Sequence, residues 1–433
     1  MRHTQRSIAL FWGPLAATWL MMASEGPFLA AVIARLPDPK FNLAAHGVAF
    51  ALAIVIEAPV IMLMSAATSL VRDRLSFLKL RTFALILNLI STGLLLVLLI
   101  PGVYNLVART MIGLPPEVAD ITYGALWFFL PWPSAIGYRR FLQGVLIRAG
   151  KTRLVALGTI VRLVAMTVAA LFGYLILDIP GAWVGALALG AGVVAEAVAA
   201  RFMAASTVRD ILATEVDPDT PELTYSEITA FYYPLALTSL IGLSIHPMLT
   251  FFMGRSVGPV ESLAVFPVVH SLSFFFRSMG LAFQDTAIAL MGERFRHFPE
   301  LRKFALTLGL ATSAGLALVA FTPLSSLWFV TISGLTPELT SIALIPARVI
   351  VPLPALSVLL SLQRAILVEG RRTQHITVAT AIEVASVALV FILLGWGVGF
   401  LGATAAFSAF LGGRIASNTY LFFGCRRVLK ERG

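Results

Sequence analysis

The chain has 433 residues, of which 58% are hydrophobic and only 12% are charged, and its mean hydropathy is +0.90. A soluble domain carries about 25% charged residues, so this composition excludes the soluble classes and predicts a polytopic, all-α membrane protein. The net charge of +10 would also suit nucleic acid, but the basic residues follow a membrane topology instead. We therefore expect no nucleic-acid partner.

Apolar runs of about 20 residues predict about twelve transmembrane helices. The first run has no small-residue cleavage site at a suitable distance, so we interpret it as a retained span and not as a signal peptide. The predicted spans are 9–33, 44–70, 82–106, 121–147, 154–177, 181–205, 228–252, 258–290, 303–330, 338–368, 374–397 and 399–425.

Basic residues are concentrated in alternate loops between these spans. On one side lie 21 of the 32 lysines and arginines, against only Arg35, Lys40, Arg109 and Arg255 on the other. The positive-inside rule then predicts a multi-pass protein of the cell (plasma or inner) membrane with both termini cytoplasmic and membrane lipids as partners. The single cysteine, Cys425, excludes an intramolecular disulfide and fits no zinc spacing, so we expect no metal site.

The two halves of the chain share one pattern of prolines and polar residues. The stretch "FWGPLAATWLMMASEGPFLA" from Phe11 matches "FYYPLALTSLIGLSIHPMLT" from Phe231 at an offset of 220 residues. Further on, "RTFALIL" matches "RKFALTL", "GLPPEV" matches "GLTPEL", and Gln143 matches Gln363, at offsets of 220 or 221. This register predicts a duplication in which both six-helix halves enter the membrane in the same orientation.

The predicted domains are an N-terminal six-helix bundle, residues 1–205, and a C-terminal six-helix bundle, residues 228–433. The connector, 206–227, is predicted to be a solvated cytoplasmic linker, with a regulatory role as the alternative. Its acidic residues and prolines are Asp210, Glu215, Asp217, Pro218, Asp219, Pro221, Glu222 and Glu227.

Two parallel bundles favour transport by alternating access around a central cleft. The sequence has no HExxH, GxSxG, Walker A or paired-cysteine motif, so it predicts neither an enzyme with catalytic residues nor an ATP-driven pump. Secondary transport is the remaining interpretation. We expect no cofactor, and a proton or sodium ion as the coupling ion.

Four arginines inside the spans are candidates for binding the substrate: Arg277, Arg139, Arg140 and Arg348. The guanidinium group is a permanently charged fork of donors that matches carboxylate and phosphate oxygens. These residues therefore favour a small anionic substrate, whereas a lipophilic cation would require acids and aromatic faces. The alternative for Arg139 and Arg140 is that they reach out of the membrane from the end of their helix.

Buried carboxylates are candidates for ion coupling because their protonation can follow the access of water. Glu25, Glu57 and Asp285 lie within predicted spans, and a salt bridge to a neighbouring arginine is the alternative for each. His246 beside Pro247 could also titrate, with a hydrogen-bonded buried histidine as the alternative.

The repeat also relates charges and prolines of the two halves. Arg162 corresponds to Glu383 at an offset of 221, which predicts a gating or structural ion pair, with a role in substrate binding as the alternative. Glu57 corresponds to Arg277 at an offset of 220. The matching prolines are predicted to kink the first helix of each half, and they are Pro14 with Pro234 and Pro27 with Pro247.

The motifs "FWGPLA" and "FYYPLA", with "QGVLIRAGKTR" from Gln143, resemble those of the multidrug/oligosaccharidyl-lipid/polysaccharide (MOP) exporter superfamily. Together with "PARVIVPLPALSVLLSLQRAILVEGRRT", they look most like the progressive ankylosis (Ank) family. The resemblance implies a MATE-like fold of twelve helices in two bundles. An Ank-type protein would export polyatomic anions such as pyrophosphate, citrate and nucleotides, whereas MATE-type drug exporters couple to ions through an acid in the N-terminal bundle.

The leading hypothesis is a monomeric exporter of small organic or phosphate-containing anions. The alternatives are a flippase for lipid-linked glycans or phospholipids, a MATE-type antiporter of cationic drugs, and a membrane scaffold that transports nothing.

Overall fold

The computed structural model describes residues 4–214 and 222–432. Over these two ranges the chain forms helices and short connections and contains no β-strand. The predicted all-α class of polytopic membrane protein is confirmed. The linker residues Glu215, Asp217, Pro218, Asp219 and Pro221 lie outside the described residues.

The first repeat contains nine main helices, several of them joined in pairs at a break. They are α1a (Gln5–Ala23), α1b (Glu25–Ala34), α2a (Pro39–Ile61), α2b (Leu63–Leu70), α3 (Arg74–Leu98), α4a (Pro116–Phe128), α4b (Trp132–Arg148), α5 (Thr152–Leu175) and α6 (Gly181–Met203). Short helices at Pro101–Asn105, Leu106–Ile112 and Ala205–Ala213 connect them.

The second repeat contains the corresponding helices. They are α7a (Tyr225–Leu243), α7b (Ile245–Gly254), α8 (Pro259–Leu290), α9 (Phe298–Phe321), α10a (Pro337–Val349), α10b (Leu353–Glu369), α11 (Gln374–Phe391) and α12 (Gly402–Arg432).

Each of the twelve predicted spans overlaps one of these helical segments. Among the described residues, nine segments are long and apolar enough to cross a membrane, and the pair α10a and α10b, bent by 41°, would be a tenth. The third span begins at Arg74, eight residues before the predicted start, because Asp73 and Ser76 form a capping box there. The charged side chains that indicated a loop lie instead in the first turns of α3.

The two repeats begin with the same local structure. Thr4 caps α1a in a capping box with Ser7, and Thr224 caps α7a in a capping box with Glu227. Just after a short π-helix in each repeat, Leu106–Ile112 and Leu327–Ile332, a glycine adopts left-handed φ, 80° at Gly113 and 71° at Gly334. A residue with a Cβ is strained at this φ, so the turn requires glycine.

The first helix of each repeat is broken at a serine three residues before a proline. Pro27 has no amide to donate to Ala23, and Ala23 is the last residue of α1a. Pro247 has the same relation to Leu243, the last residue of α7a. Pro14 and Pro234 lie inside uninterrupted helices.

The described residues pack into two compact units. Unit N is Ala45–Pro247, and unit C combines Met1–Ala44 with Met248–Gly433. The first helix of each repeat therefore belongs to the unit that contains most of the other repeat. The packing partners of a helix are set by tertiary contacts and not by its place in a repeat, and the predicted division at residues 206–227 stays a prediction.

Specific contacts hold each first helix in its unit. In unit C, Trp12 of α1a donates to the carbonyl of Met279 at 3.1 Å and packs edge-on against Phe304 of α9. In unit N, the hydroxyl of Tyr232 of α7a donates to the carbonyl of Pro59, and its ring packs against Phe83 of α3 at 5.2 Å.

Candidate functional site

A buried polar cluster in unit N is centred on Glu196 of α6, whose side chain is 1% exposed. Arg139 Nη1 lies 2.5 Å from Glu196 Oε2, and Gln143 Nε2 donates to Oε1 at 3.0 Å. Arg162 Nη1 of α5 lies 4.0 Å from Oε2. We name Arg139, Gln143, Arg162 and Glu196 the Glu196 cluster.

The helical repeat of α4b brings its polar side chains to this cluster. Trp132, Arg139 and Gln143 are spaced by seven and four residues, so they lie on one face of the helix. The next residue, Arg140, donates to Met64 Sδ at 3.7 Å. Arg139 is thus buried in the Glu196 cluster and Arg140 is half-buried, so neither of these two arginines is simply exposed at a helix end.

Glu57 of α2a is a buried carboxylate next to the Glu196 cluster. Trp132 Nε1 donates a hydrogen bond to Glu57 Oε2, and the indole is packed against Phe50 and Phe129. Within residues 4–214 and 222–432 Glu57 forms no ion pair, although Arg139, Arg140 and Arg162 are close enough to act on it electrostatically. A carboxyl group held by one neutral donor is suited to gain and lose a proton.

The second buried polar cluster lies in unit C and is centred on Glu383 of α11. Arg414 Nη2 of α12 lies 2.8 Å from Glu383 Oε1. Arg277 Nε of α8 donates to Ser357 Oγ at 3.2 Å, and its guanidinium lies 4.8 Å from the ring centre of Phe410.

Arg364 of α10b adds a third guanidinium to this group. Glu383 is the carboxylate that acts electrostatically on both Arg277 and Arg364. We name Arg277, Arg364, Glu383 and Arg414 the Glu383 cluster. It has three positive charges and one negative charge, all held inside a bundle of apolar helices.

Equivalent glycines place the two clusters at the same position in the two repeats. A Cβ added at Gly192 of α6 would lie 3.1 Å from the carbonyl oxygen of Arg162, and one added at Gly413 of α12 would lie 2.8 Å from that of Glu383. Gly192 and Gly413 are 221 residues apart, as are Arg162 and Glu383. In the first repeat the penultimate helix therefore carries the arginine and the last helix the glutamate, and in the second repeat the signs are reversed.

The pair predicted between Arg162 and Glu383 stays a prediction. The structure gives each residue an oppositely charged neighbour in its own unit, Glu196 for Arg162 and Arg414 for Glu383. Sequence reasoning missed these neighbours, and also Trp132 as the donor to Glu57. On the fourth helix of each repeat, the repeated Gln143 and Gln363 were a signal of polar contacts.

The remaining predicted residues lie outside both clusters. Arg348 is exposed and donates from Nε to the carbonyl of Ala320 at 3.2 Å. Glu25 is buried in the first turn of α1b, His246 is half-buried in the first turn of α7b, and Asp285 is exposed on α8. In the part of the chain that the structure describes, no group of three His, Cys, Asp or Glu side chains could hold a metal ion.

Searches against protein families and against curated proteins gave no match, but solved structures match over the whole chain. A multidrug resistance MATE family transporter of the MOP superfamily, in its inward-facing conformation, matches with a TM-score of 0.74 at 17% identity, over 98% of this chain and 99% of that one. The chain has the MATE fold.

Two other solved structures are also similar to this chain over almost its whole length. A MOP superfamily transporter from Pyrococcus furiosus Vc1 (DSM3638), described as having reverse polarity of its binding pocket, matches with a TM-score of 0.66 at 15% identity, over 99% of this chain and 97% of that one. The lipid II flippase MurJ, in an inward closed conformation, matches with a TM-score of 0.72 at 13% identity, over 97% and 89%. The MOP resemblance is thus confirmed for the fold, and the comparisons do not single out the Ank family.

Proposed function

We propose that this MATE-like chain is a secondary active transporter that exports small organic or phosphate-containing anions by alternating access. The observation that carries the proposal is the Glu383 cluster, in which Glu383 is paired with Arg414 and also acts electrostatically on Arg277 and Arg364. Burying an excess of positive charge is costly unless an anion compensates for it. Guanidinium forks match carboxylate and phosphate oxygens, and this defines the substrate class.

The similar structures support a transport function, because they include a multidrug transporter and a lipid II flippase. Reversed pocket polarity is connected with a different function in the Pyrococcus furiosus transporter. An arginine-rich interior in the present chain is in line with a substrate other than a cationic drug. The motif likeness to the Ank family supports polyatomic anions in particular.

Glu57 is the proposed coupling group, and the proton is the proposed coupling ion. Glu57 is a buried carboxyl that lacks an ion pair, so it is less costly to protonate than the paired Glu196. Its neighbours in the Glu196 cluster are already paired, since Arg139 lies 2.5 Å from Glu196. The charge distribution of the loops supports a location in the cell membrane with both termini cytoplasmic, and we propose that the transporter acts as a monomer.

The test is flux in proteoliposomes that contain the purified protein. Citrate, pyrophosphate and ATP are compared with the cation tetraphenylphosphonium, with and without a proton gradient. We expect anion flux that is lost in Arg277→Gln and kept in Arg255→Gln. Arg255 is the matched control, because its guanidinium also lies over a phenylalanine ring, at 5.0 Å from Phe251, but it is exposed.

Other outcomes would replace the proposal. Flux of tetraphenylphosphonium alone would make the chain a cation exporter, and normal anion flux in Arg277→Gln would remove the Glu383 cluster from the mechanism. The likeness to MurJ supports a flippase as the second candidate. That function would be indicated by transfer of a fluorescent lipid-linked pyrophosphate between leaflets in vesicles that show no solute flux.

A further inference from the structure

A groove of about 340 Å³ opens between α10b and α12 of unit C. Leu356, Leu359 and Gln363 line it on α10b, and Ile415, Thr419 and Phe422 are among the residues that line it on α12. Its volume is within the range of about 300–1,000 Å³ that is typical of ligand pockets. No residue of the Glu383 cluster lines the groove, and the groove has no part in the proposed transport mechanism.

The walls of the groove are apolar side chains that face away from the protein. Leu359 is 40% exposed, Ile415 is 48% exposed and Phe422 is 55% exposed. In a membrane-spanning segment, side chains with this exposure contact lipid chains and not water. The groove is therefore open to the hydrocarbon of the bilayer.

Hydrogen bonds between the two helices fix the floor of the groove. Gln363 Nε2 donates to the carbonyl of Asn418 at 2.9 Å, and Asn418 Nδ2 donates to the carbonyl of Leu356 at 2.9 Å. These bonds hold α10b and α12 at a set separation, so the groove exists before anything binds in it.

A cationic side chain continues the lining of the groove along α12. Arg426 follows Phe422 by four residues and Ile415 by eleven, and both spacings place it on the same helix face. Its guanidinium is exposed and forms no ion pair in the ranges that the structure describes. Arg427 is also exposed but lies about 140° around the helix from Phe422.

We infer that this groove binds one anionic phospholipid of the surrounding bilayer, with an acyl chain between α10b and α12 and the phosphate at Arg426. An acyl chain gains no hydrophobic free energy by moving from bilayer to groove, so selection depends on the headgroup. One arginine near the membrane surface favours an anionic lipid about fivefold. The inference does not depend on the proposed transport function.

The test places a fluorescent reporter in the groove by the substitution Phe422→Trp. The protein is reconstituted in phosphatidylcholine vesicles that contain increasing fractions of dibrominated phosphatidylglycerol or dibrominated phosphatidylcholine. Bromine quenches tryptophan on contact, and the signal of the unsubstituted protein is subtracted. Phe423→Trp is the matched control, since Phe423 is 64% exposed but does not line the groove.

We expect the Phe422→Trp reporter to be half-quenched at an about fivefold lower fraction of the anionic lipid than of the zwitterionic lipid. This preference should be lost when Arg426→Gln or the groove-filling Thr419→Phe is added, and kept when Arg427→Gln is added. The Phe423→Trp reporter should show no preference. Equal quenching by the two lipids, or a preference that survives Arg426→Gln or Thr419→Phe, would overturn the inference. Should Phe422→Trp fail to fold, Ile415→Trp provides the same comparison.

Discussion

Arg414 and Glu383 form a buried ion pair, with Nη2 and Oε1 2.8 Å apart, and both side chains are less than a tenth exposed. The equivalent helices of unit N carry an arginine and a glutamate in the opposite order, Arg162 on α5 and Glu196 on α6. The duplicated scaffold has thus kept a charged contact between its last two helices while the signs have been exchanged. Both repeats have this contact at the same place although its signs are exchanged, so we interpret it as a structural contact of the scaffold. The surplus positive charge of the Glu383 cluster distinguishes unit C from unit N.

Because the Glu383 cluster has surplus positive charge, we expect neutralising Glu383 and neutralising Arg414 to lower the stability of the protein by different amounts. Glu383→Gln leaves three guanidiniums without their carboxylate, whereas Arg414→Gln leaves two guanidiniums with it. Breaking a buried pair costs about 3–5 kcal/mol, and we expect Glu383→Gln to fall at the upper end of that range and Arg414→Gln at the lower. Thermal unfolding of the purified protein in detergent measures the difference. An Arg414→Gln variant that is as unstable as Glu383→Gln would contradict this account of the charges.

Anions should also stabilise these variants differently. If the Glu383 cluster binds an anion, a polyatomic anion such as pyrophosphate should recover much of the stability that Glu383→Gln loses, because it restores negative charge among the three guanidiniums. The same anion should recover little in Arg414→Gln. The midpoint of thermal unfolding, measured against pyrophosphate concentration at constant ionic strength, tests this. An equal shift in both variants would indicate general screening and not a bound anion.

Much of the fold could be predicted from the sequence because it depends on local and periodic signals. Apolar runs predicted the twelve helical segments, and the offset of 220 or 221 residues predicted the matching breaks before Pro27 and Pro247. The starts of α3 and α9 were missed because charged residues in a first turn look like a loop. A capping box at Asp73 was the overlooked signal for α3.

The candidate site could be predicted only in its residue types. Arg277, Arg139 and Glu57 stand out as ionisable residues in apolar runs, but the sequence does not say which helices pack together. The pairing of Glu383 with Arg414 and the hydrogen bond from Trp132 to Glu57 depend on those tertiary contacts. The packing of α1a and α7a with the helices of the other repeat could likewise not be predicted from the duplication, because both copies show the same sequence pattern.

Glu57→Gln should uncouple transport from the proton gradient without unfolding the protein. The amide oxygen of glutamine can still accept the hydrogen bond from Trp132, so the packing of α2a against α4b is retained. We expect anion flux to remain but to become independent of an imposed pH gradient. Glu338→Gln is the control, since Glu338 is 68% exposed, and it should keep the dependence. A Glu57→Gln transporter that still responds fully to the gradient would exclude Glu57 as the coupling group.

Substituting alanine for the glycines beside the two clusters should lower stability more where the structure leaves less space for a Cβ. At Gly413 a Cβ would lie 2.5 Å from Val387 Cγ2 and 2.8 Å from the carbonyl oxygen of Glu383, whereas at Gly192 the nearest atoms are 3.0 Å and 3.1 Å away. Overpacking costs about 1–3 kcal/mol, so Gly413→Ala should lose more stability than Gly192→Ala. Gly93→Ala is the control, because nothing lies within 4 Å of a Cβ there, and on helix propensity it should gain up to about 1 kcal/mol. Thermal unfolding of the three variants under one set of conditions gives the order of their stabilities. A Gly413→Ala protein as stable as Gly93→Ala would show that α11 and α12 are packed less closely than the structure indicates.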